Sequence, residues 1–150
     1  MTANAEDLAK RTPPGQVLTT KWPVLTYGLT PKFNPKTWTF RCFGLVEEEV
    51  SWTWEEFLAL PRSEVFCDIH CVTRWSRLDN VWTGVSAREI AERSGVKPEA
   101  KFVLALAYDY GWTTNVPIEY FMLEDSLFAF LHDGAPILSE HGGLVCLIIP

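Results

Sequence analysis

The chain has no excess of positive charge. Thirteen Lys and Arg stand against 19 Asp and Glu, a formal net charge of −6 at pH 7. No basic block interrupts that balance, which argues against a nucleic-acid partner. No apolar run approaches the roughly 20 residues needed to cross a bilayer, so no membrane span is expected. The amino terminus has neither the basic and apolar regions of a secretory signal nor a twin arginine, and a cytoplasmic location is the expectation. In that reducing compartment Cys42, Cys67, Cys71 and Cys146 are expected as thiols. Neither GxGxxG nor a P-loop occurs, so dinucleotide and nucleoside-triphosphate readings lack their glycine cradle. A haem-attachment Cys-x-x-Cys-His is also missing, so any electrons must be exchanged with a separate protein.

Aromatic residues are abundant: seven Trp, four Tyr and nine Phe among 150 residues. A core of this size does not need so many, which points to a flat ligand or a large interface. The length suits one domain that folds without disulfide or metal staples. Residues 1–20 carry scattered charge with Pro13, Pro14 and Gly15 and read as an irregular arm. Residues 21–35 hold three prolines and read as extended loop with short β pieces.

Regular structure is expected from Thr37, with Trp38, Phe40 and Cys42 on one strand face and Gly44 as the stop. A short strand over residues 50–53 leads into a helix with a Thr53/Glu56 capping box, ended by Pro61. Residues 64–70 alternate as a strand that delivers Cys71 to its carboxyl end, followed by a polar, arginine-bearing loop over residues 72–80. Ser86 and Glu89 repeat the capping-box pattern for a helix ending before Gly95. An apolar strand at residues 102–107, the polar run Thr113-Thr114-Asn115, a helix started by Pro117, and strands at 127–131 and 144–149 complete the pattern. Few, short helices among hairpin-connected strands give an α+β class with a mixed β-sheet core.

Cys71 is the position richest in chemistry. A thiol at a strand exit, followed by Arg74 and Arg77, sits where cations favour a thiolate, a soft ligand for a redox metal. It equally suits a buried strand position. A thiol enzyme needs a general base, and His70 next to Cys71 should point to the opposite strand face, leaving His132 or His141. Cys67-x3-Cys71 matches no zinc knuckle. Trp75 and Trp112 lie in polar segments and are the candidate walls of a cofactor site, while Trp38, Trp52, Trp54 and Trp82 follow core patterns. His141-Gly142-Gly143 offers backbone amides free of side chains.

Several segments together resemble the molybdopterin-binding oxidoreductase domain of the sulfite oxidase family, particularly its short bacterial members. They are Trp22-Pro23-Val24-Leu25-Thr26-Tyr27-Gly28, residues 38–44, Cys71-Val72-Thr73-Arg74-Trp75-Ser76 with Leu78-Asp79-Asn80, Trp82-x-Gly84-Val85, Gly111-Trp112-Thr113-Thr114-Asn115-Val116-Pro117 and His141-Gly142-Gly143. The resemblance spans most of residues 21–150 and implies the sulfite oxidase molybdopterin-binding fold there. It implies a molybdenum-molybdopterin cofactor with Cys71 as the protein ligand to the metal, and two-electron oxygen-atom transfer on a small oxyanion or sulfoxide.

By the same resemblance Tyr27 and Gly28 flank the pterin or metal, and Arg74 is the nearest cation for an oxyanion substrate or the cofactor phosphate. Thr73, Trp75 and Ser76 of the cysteine loop, Thr113, Thr114 and Asn115, and His141, Gly142 and Gly143 would complete the cofactor contacts. The family's Gly-Gly-Pro-x-Arg reads here with Leu144 and Cys146, and related histidines are replaced by Thr26 and Ala107. A weakened hold on the cofactor phosphate and a missing carboxyl-terminal segment after Pro150 are the matching expectations. A cofactor-free binding module that keeps the fold and a thiol enzyme built on Cys71 are the alternatives.

Overall fold

The computed structural model describes residues 5–26, 28–30, 32–108 and 111–150. Its first segment is more ordered than an irregular arm. Helix α1 (Ala5–Arg11) is followed by strand β1 (Val17–Leu18). Seven residues are too few for a helix to persist alone in water. A tertiary contact holds it: Arg11 donates to both Asp68 oxygens, at 3.1 and 2.6 Å, and to Asp79 at 2.6 Å. That forked pairing is legible only when the chain is folded. The described part of residues 21–35 is extended loop and contains no strand.

Strands β2 (Thr39–Cys42) and β3 (Val50–Thr53) form an antiparallel pair with Phe40 opposite Trp52. Thr53 then caps α2 (Trp54–Leu58), its hydroxyl accepting from the Glu56 amide and its own amide donating to the Glu56 carboxylate. The Thr53 amide and hydroxyl both lie 2.8 Å from the Glu56 carboxylate and, by donating to it, hold the carboxyl below its ordinary range.

The main sheet is built around a long hairpin, β4 (Arg62–Cys71) and β5 (Trp75–Ser86). The expected loop over residues 72–80 is therefore reduced to residues 72–74, and the rest is strand. A register shift opposite Asp68 admits two residues of β5, Leu78 and Asp79, and Asp79 takes φ 58° there. This irregularity masked the strand's period in the sequence. Helix α3 (Ala87–Ser94) follows, capped by the Ser86 hydroxyl accepting from the Arg88 amide. Glu89 pairs with Arg93 instead of closing the expected capping box.

Strands β6 (Phe102–Leu106) and β7 (Thr113–Pro117) form a separate two-stranded sheet, so the polar run 113–115 is strand, not loop. Helix α4 (Ile118–Phe121) starts after Pro117. The remaining strands are β8 (Leu127–His132), β9 (Ala135–Pro136) and β10 (Cys146–Ile148), with a 3-10 turn at Ser139–His141 between the last two. The main sheet runs β1-β5-β8-β10, with β4 also paired to β5 and β9 to β8. β1 joins β5 in parallel while the other pairs are antiparallel, which makes the sheet mixed.

β8 reads as a continuous apolar run because both of its faces are covered. Phe128 and Phe130 join the larger core with Trp38, Phe57, Val85, Ile90 and Phe121. Leu127 and Ala129, one residue out of phase, join Val65, Trp82 and Ile137 on the other face, where Trp22, Cys67, Ile69 and Cys146 also pack. The candidate site is built over this second, smaller core.

Candidate functional site

β4 carries Cys71 to the end of the hairpin, where it pairs with Trp75. The three-residue turn closes with the Arg74 amide donating to the Cys71 carbonyl at 2.9 Å. Arg74 adopts φ 69°, the left-handed conformation that closes such a turn. The turn brings the Thr73 hydroxyl to 3.1 Å from the Cys71 sulfur.

Cys71 lies on the wall of a cleft of about 410 Å³, a size in the range of small-ligand sites. Ile69, His70, Val72 and Trp75 of the hairpin form the same wall, and Trp22, Pro23, Leu25 and His141 face them. Trp22 stacks on His141 with ring centroids 3.8 Å apart and planes 11° from parallel. It also meets Trp82 and His132 edge-on at 5.2 and 4.7 Å. The indole N–H of Trp75 is buried and has no hydrogen-bond partner among the described residues.

Behind Trp22 lies a polar cluster. Arg77 is ion-paired with Asp133, donates to Asn80, reaches the Thr20 carbonyl at 3.2 Å and lies 3.1 Å from His132 Nε2. Burial, aided by the Arg77 and His141 charges and opposed by Asp133, holds the His132 imidazole below its ordinary pKa. Arg77 is thus engaged in structure and not in the cleft wall.

The expected site residues separate into three groups. Cys71, Trp75 and His141 come together at the cleft, and Thr73 touches the sulfur from outside its wall. Ser76 is fully buried and bonds His70 Nδ1 at 2.8 Å, so it acts behind the wall. Arg74 is exposed and not in the wall, as are Gly28 and Gly142; Gly143, half-buried, also lies off it. Thr113, Thr114 and Asn115 lie exposed on β7, opposite Leu106, Ala105 and Leu104, and Trp112 is also outside the wall. Tyr27 lies outside the described residues.

Of the cleft residues that escaped the sequence reading, two carry aromatic rings, Trp22 and His70. Trp22 sat in a proline-rich loop where no periodicity marks a ring as functional, although its Trp-Pro segment carried part of the resemblance. His70 was expected on the face away from Cys71, yet both line the cleft, because the cleft lies over the end of the hairpin where the strand gives way to the turn.

The donor set suits a metal held by one thiolate together with a flat ring system. It offers a soft sulfur, two imidazoles, an indole N–H awaiting an acceptor and an aromatic face. Among the described residues no group of three or more His, Cys, Asp and Glu side chains converges as a metal site of its own. Among the described residues no Lys or Arg lines the cleft. Cys146 is no cation substitute: burial pushes its thiol up to about 11, and its sulfur lies 3.8 Å from the His141 carbonyl.

Comparison with known proteins agrees with this donor set. The model of the family described as "Oxidoreductase molybdopterin binding domain" matches residues 27–150, so the chain belongs to that family of oxidoreductases. The chain is 48% identical over 137 residues to the uncharacterized oxidoreductase YuiH of Bacillus subtilis, a match covering 91% of this chain and 69% of that protein. It is 29% identical over 100 residues to the protein-methionine-sulfoxide reductase catalytic subunit MsrP of Campylobacter jejuni, covering 67% of this chain and 31% of that protein. It spans still less, 18%, of an inducible nitrate reductase of Glycine max, at 23% identity over 85% of this chain. The crystal structure of the sulfane dehydrogenase SoxCD from Paracoccus pantotrophus shares the fold, with a TM-score of 0.72 and 23% identity over 81% of this chain and 36% of that one.

Proposed function

We propose that this chain binds a molybdenum-molybdopterin cofactor through Cys71 and serves a two-electron oxygen-atom transfer on a small oxidised substrate such as sulfite or a sulfoxide. The observation that carries the reading is the place of Cys71: a thiol at a strand end, on the wall of a cleft with Trp22, Trp75 and His141. When bound, the group supplies a metal that changes oxidation state by two electrons and passes an oxygen atom.

The residues of the chain do the rest. The Cys71 sulfur would hold the metal, with the Thr73 hydroxyl 3.1 Å away as its hydrogen-bond partner. The buried Trp75 N–H, which has no hydrogen-bond partner among the described residues, would donate to an acceptor on the ring system. The Trp22–His141 stack forms a flat face that keeps water from one side of the cleft. His70, anchored through Nδ1 by Ser76, presents its other nitrogen for a proton. Arg74, exposed in the turn that follows Cys71, would be the cation for an anionic substrate or the cofactor phosphate. Electrons pass to or from a separate protein, and four free cysteines suit a cytoplasmic setting.

A thiol enzyme fits less well, because the partner of the Cys71 sulfur is a hydroxyl, His70 directs Nδ1 to Ser76, His132 is engaged by Arg77 and Asn80, and the His141 ring is stacked on Trp22. The test is molybdenum content and pterin fluorescence of the chain purified from cells that make the cofactor. One metal per chain is expected in the native protein and none in Cys71→Ser, with Cys67→Ser retaining it. Metal retained by Cys71→Ser refutes the ligand. No metal or pterin in either protein favours the cofactor-free module.

A further inference from the structure

Residues 5–20 precede the segment matched by the family, and they bond to the turn half of the Cys71 hairpin, between Asp68 and Asp79. At one end Arg11 bridges Asp68 of β4 and Asp79 of β5. Near the turn β1 lies parallel to β5, with the Val17 amide donating to the Arg74 carbonyl at 3.0 Å and the Thr19 amide to the Ser76 carbonyl at 2.9 Å. Between these anchors stands Gln16. Its side-chain N–H donates to the Cys71 carbonyl at 3.1 Å, and its oxygen accepts a longer bond, 3.4 Å, from the Ser76 hydroxyl.

These contacts reach both reactive side chains of the wall. The Cys71 carbonyl has two donors, the Arg74 amide and Gln16, and together they fix the peptide plane that follows Cys71. That plane sets the direction of the turn, and with it the 3.1 Å approach of Thr73 to the sulfur. The Ser76 hydroxyl has a single hydrogen; given to Gln16, it leaves the oxygen to accept from His70 Nδ1 at 2.8 Å.

We infer that Gln16 is a positioning residue for the Cys71 thiol, and that residues 5–20 are a strap holding the cysteine hairpin in its working geometry. The inference rests on the proposed role of Cys71, but its first test does not require the cofactor. Each cysteine of the cofactor-free full chain is alkylated with iodoacetamide, and site-specific rates are read by peptide mass. Gln16→Ala is expected to speed modification of Cys71 about 2- to 10-fold, the change in local opening that one ordinary hydrogen bond gives. Cys42 and Cys67 should keep their rates.

Gln16→Glu keeps an acceptor for Ser76 but has no donor for the Cys71 carbonyl, so it should resemble the alanine variant. Should either fail to fold, Arg11→Ala loosens the strap at its root, away from the cleft, and a faster Cys71 alone is again expected. An unchanged or slower Cys71 rate in these variants, or an equal rise at all four cysteines, overturns the inference. Molybdenum per chain is then measured in the same variants, with a fall expected. Metal retained by Cys71→Ser would defeat the proposed function while leaving the alkylation result to judge the strap separately.

Discussion

Gly84 sits where β5 and β8 approach too closely for any side chain. An added Cβ would lie 2.0 Å from the Phe128 carbonyl oxygen and 2.6 Å from the Ala129 Cα. Both are backbone atoms of a strand covered on its two faces, so no side chain can swing aside. The pairing register shifts between Thr83 and Gly84, which brings the two backbones together at this point. In Gly84→Ala the strands must separate by more than an ångström, losing ladder bonds and packing around Trp82 and Val85. Overpacking of a core costs typically 1–3 kcal/mol and sometimes more. With backbone as the obstacle, about 3 kcal/mol is expected, or a fall in Tm of roughly 6–12 °C for a domain of this length. Gly134→Ala is the comparison. That glycine has φ 77° and nothing within 4 Å, so its substitution should cost only about 1–2 kcal/mol, the strain of a Cβ in the left-handed conformation. Thermal unfolding of both variants by circular dichroism checks the reasoning. A Gly84→Ala protein as stable as Gly134→Ala would refute the close approach of the two strands.

Acid sensitivity should come first from His132. Burial, with Arg77 and His141, depresses its pKa in the folded state, so the unfolded chain takes the proton first and stability falls as the pH drops below about 6.5. His132→Gln should flatten Tm against pH below about pH 6.5, and an unchanged slope there would count against the cluster. Burial pushes the Asp133 carboxyl up, but the Val81 amide and Arg77 outweigh it and hold the carboxyl low, so its contribution is lost only below about pH 4. Cys146, with its thiol raised to about 11 by burial, should resist alkylation at pH 8 until the protein unfolds; labelling of the native chain at the rate of a free thiol would show that β10 leaves it open.

Much of this protein is readable in one dimension where a local signal has a local cause. Thr53 and Glu56 announce the start of α2 because both capping partners lie within one turn. The alternation around Trp38, Phe40 and Cys42 marks β2 because one face is packed. Cys71 could be singled out because its loop is a specific string and its strand ends there. The long β5 was hidden for a physical reason: the irregularity at Leu78 and Asp79 breaks the period of two.

The sequence by itself determined the α+β class, the thiol at the strand exit, and the resemblance that the family match bears out. Tertiary structure alone decided which aromatic rings face that thiol. Trp22 meets His141 although 119 positions separate them, and nothing local to either residue encodes the stack. It alone set Thr113-Thr114-Asn115 on a separate hairpin, away from the cleft wall. It also decided that residues 5–20 are tied to the cysteine hairpin, since Arg11, Gln16 and Val17 find their partners only across the fold. Capping and alternation are short-range and survive in the bare sequence. Stacking, forked ion pairs and carbonyl clamps join distant positions, and they exist only after burial of the core has brought those positions within reach.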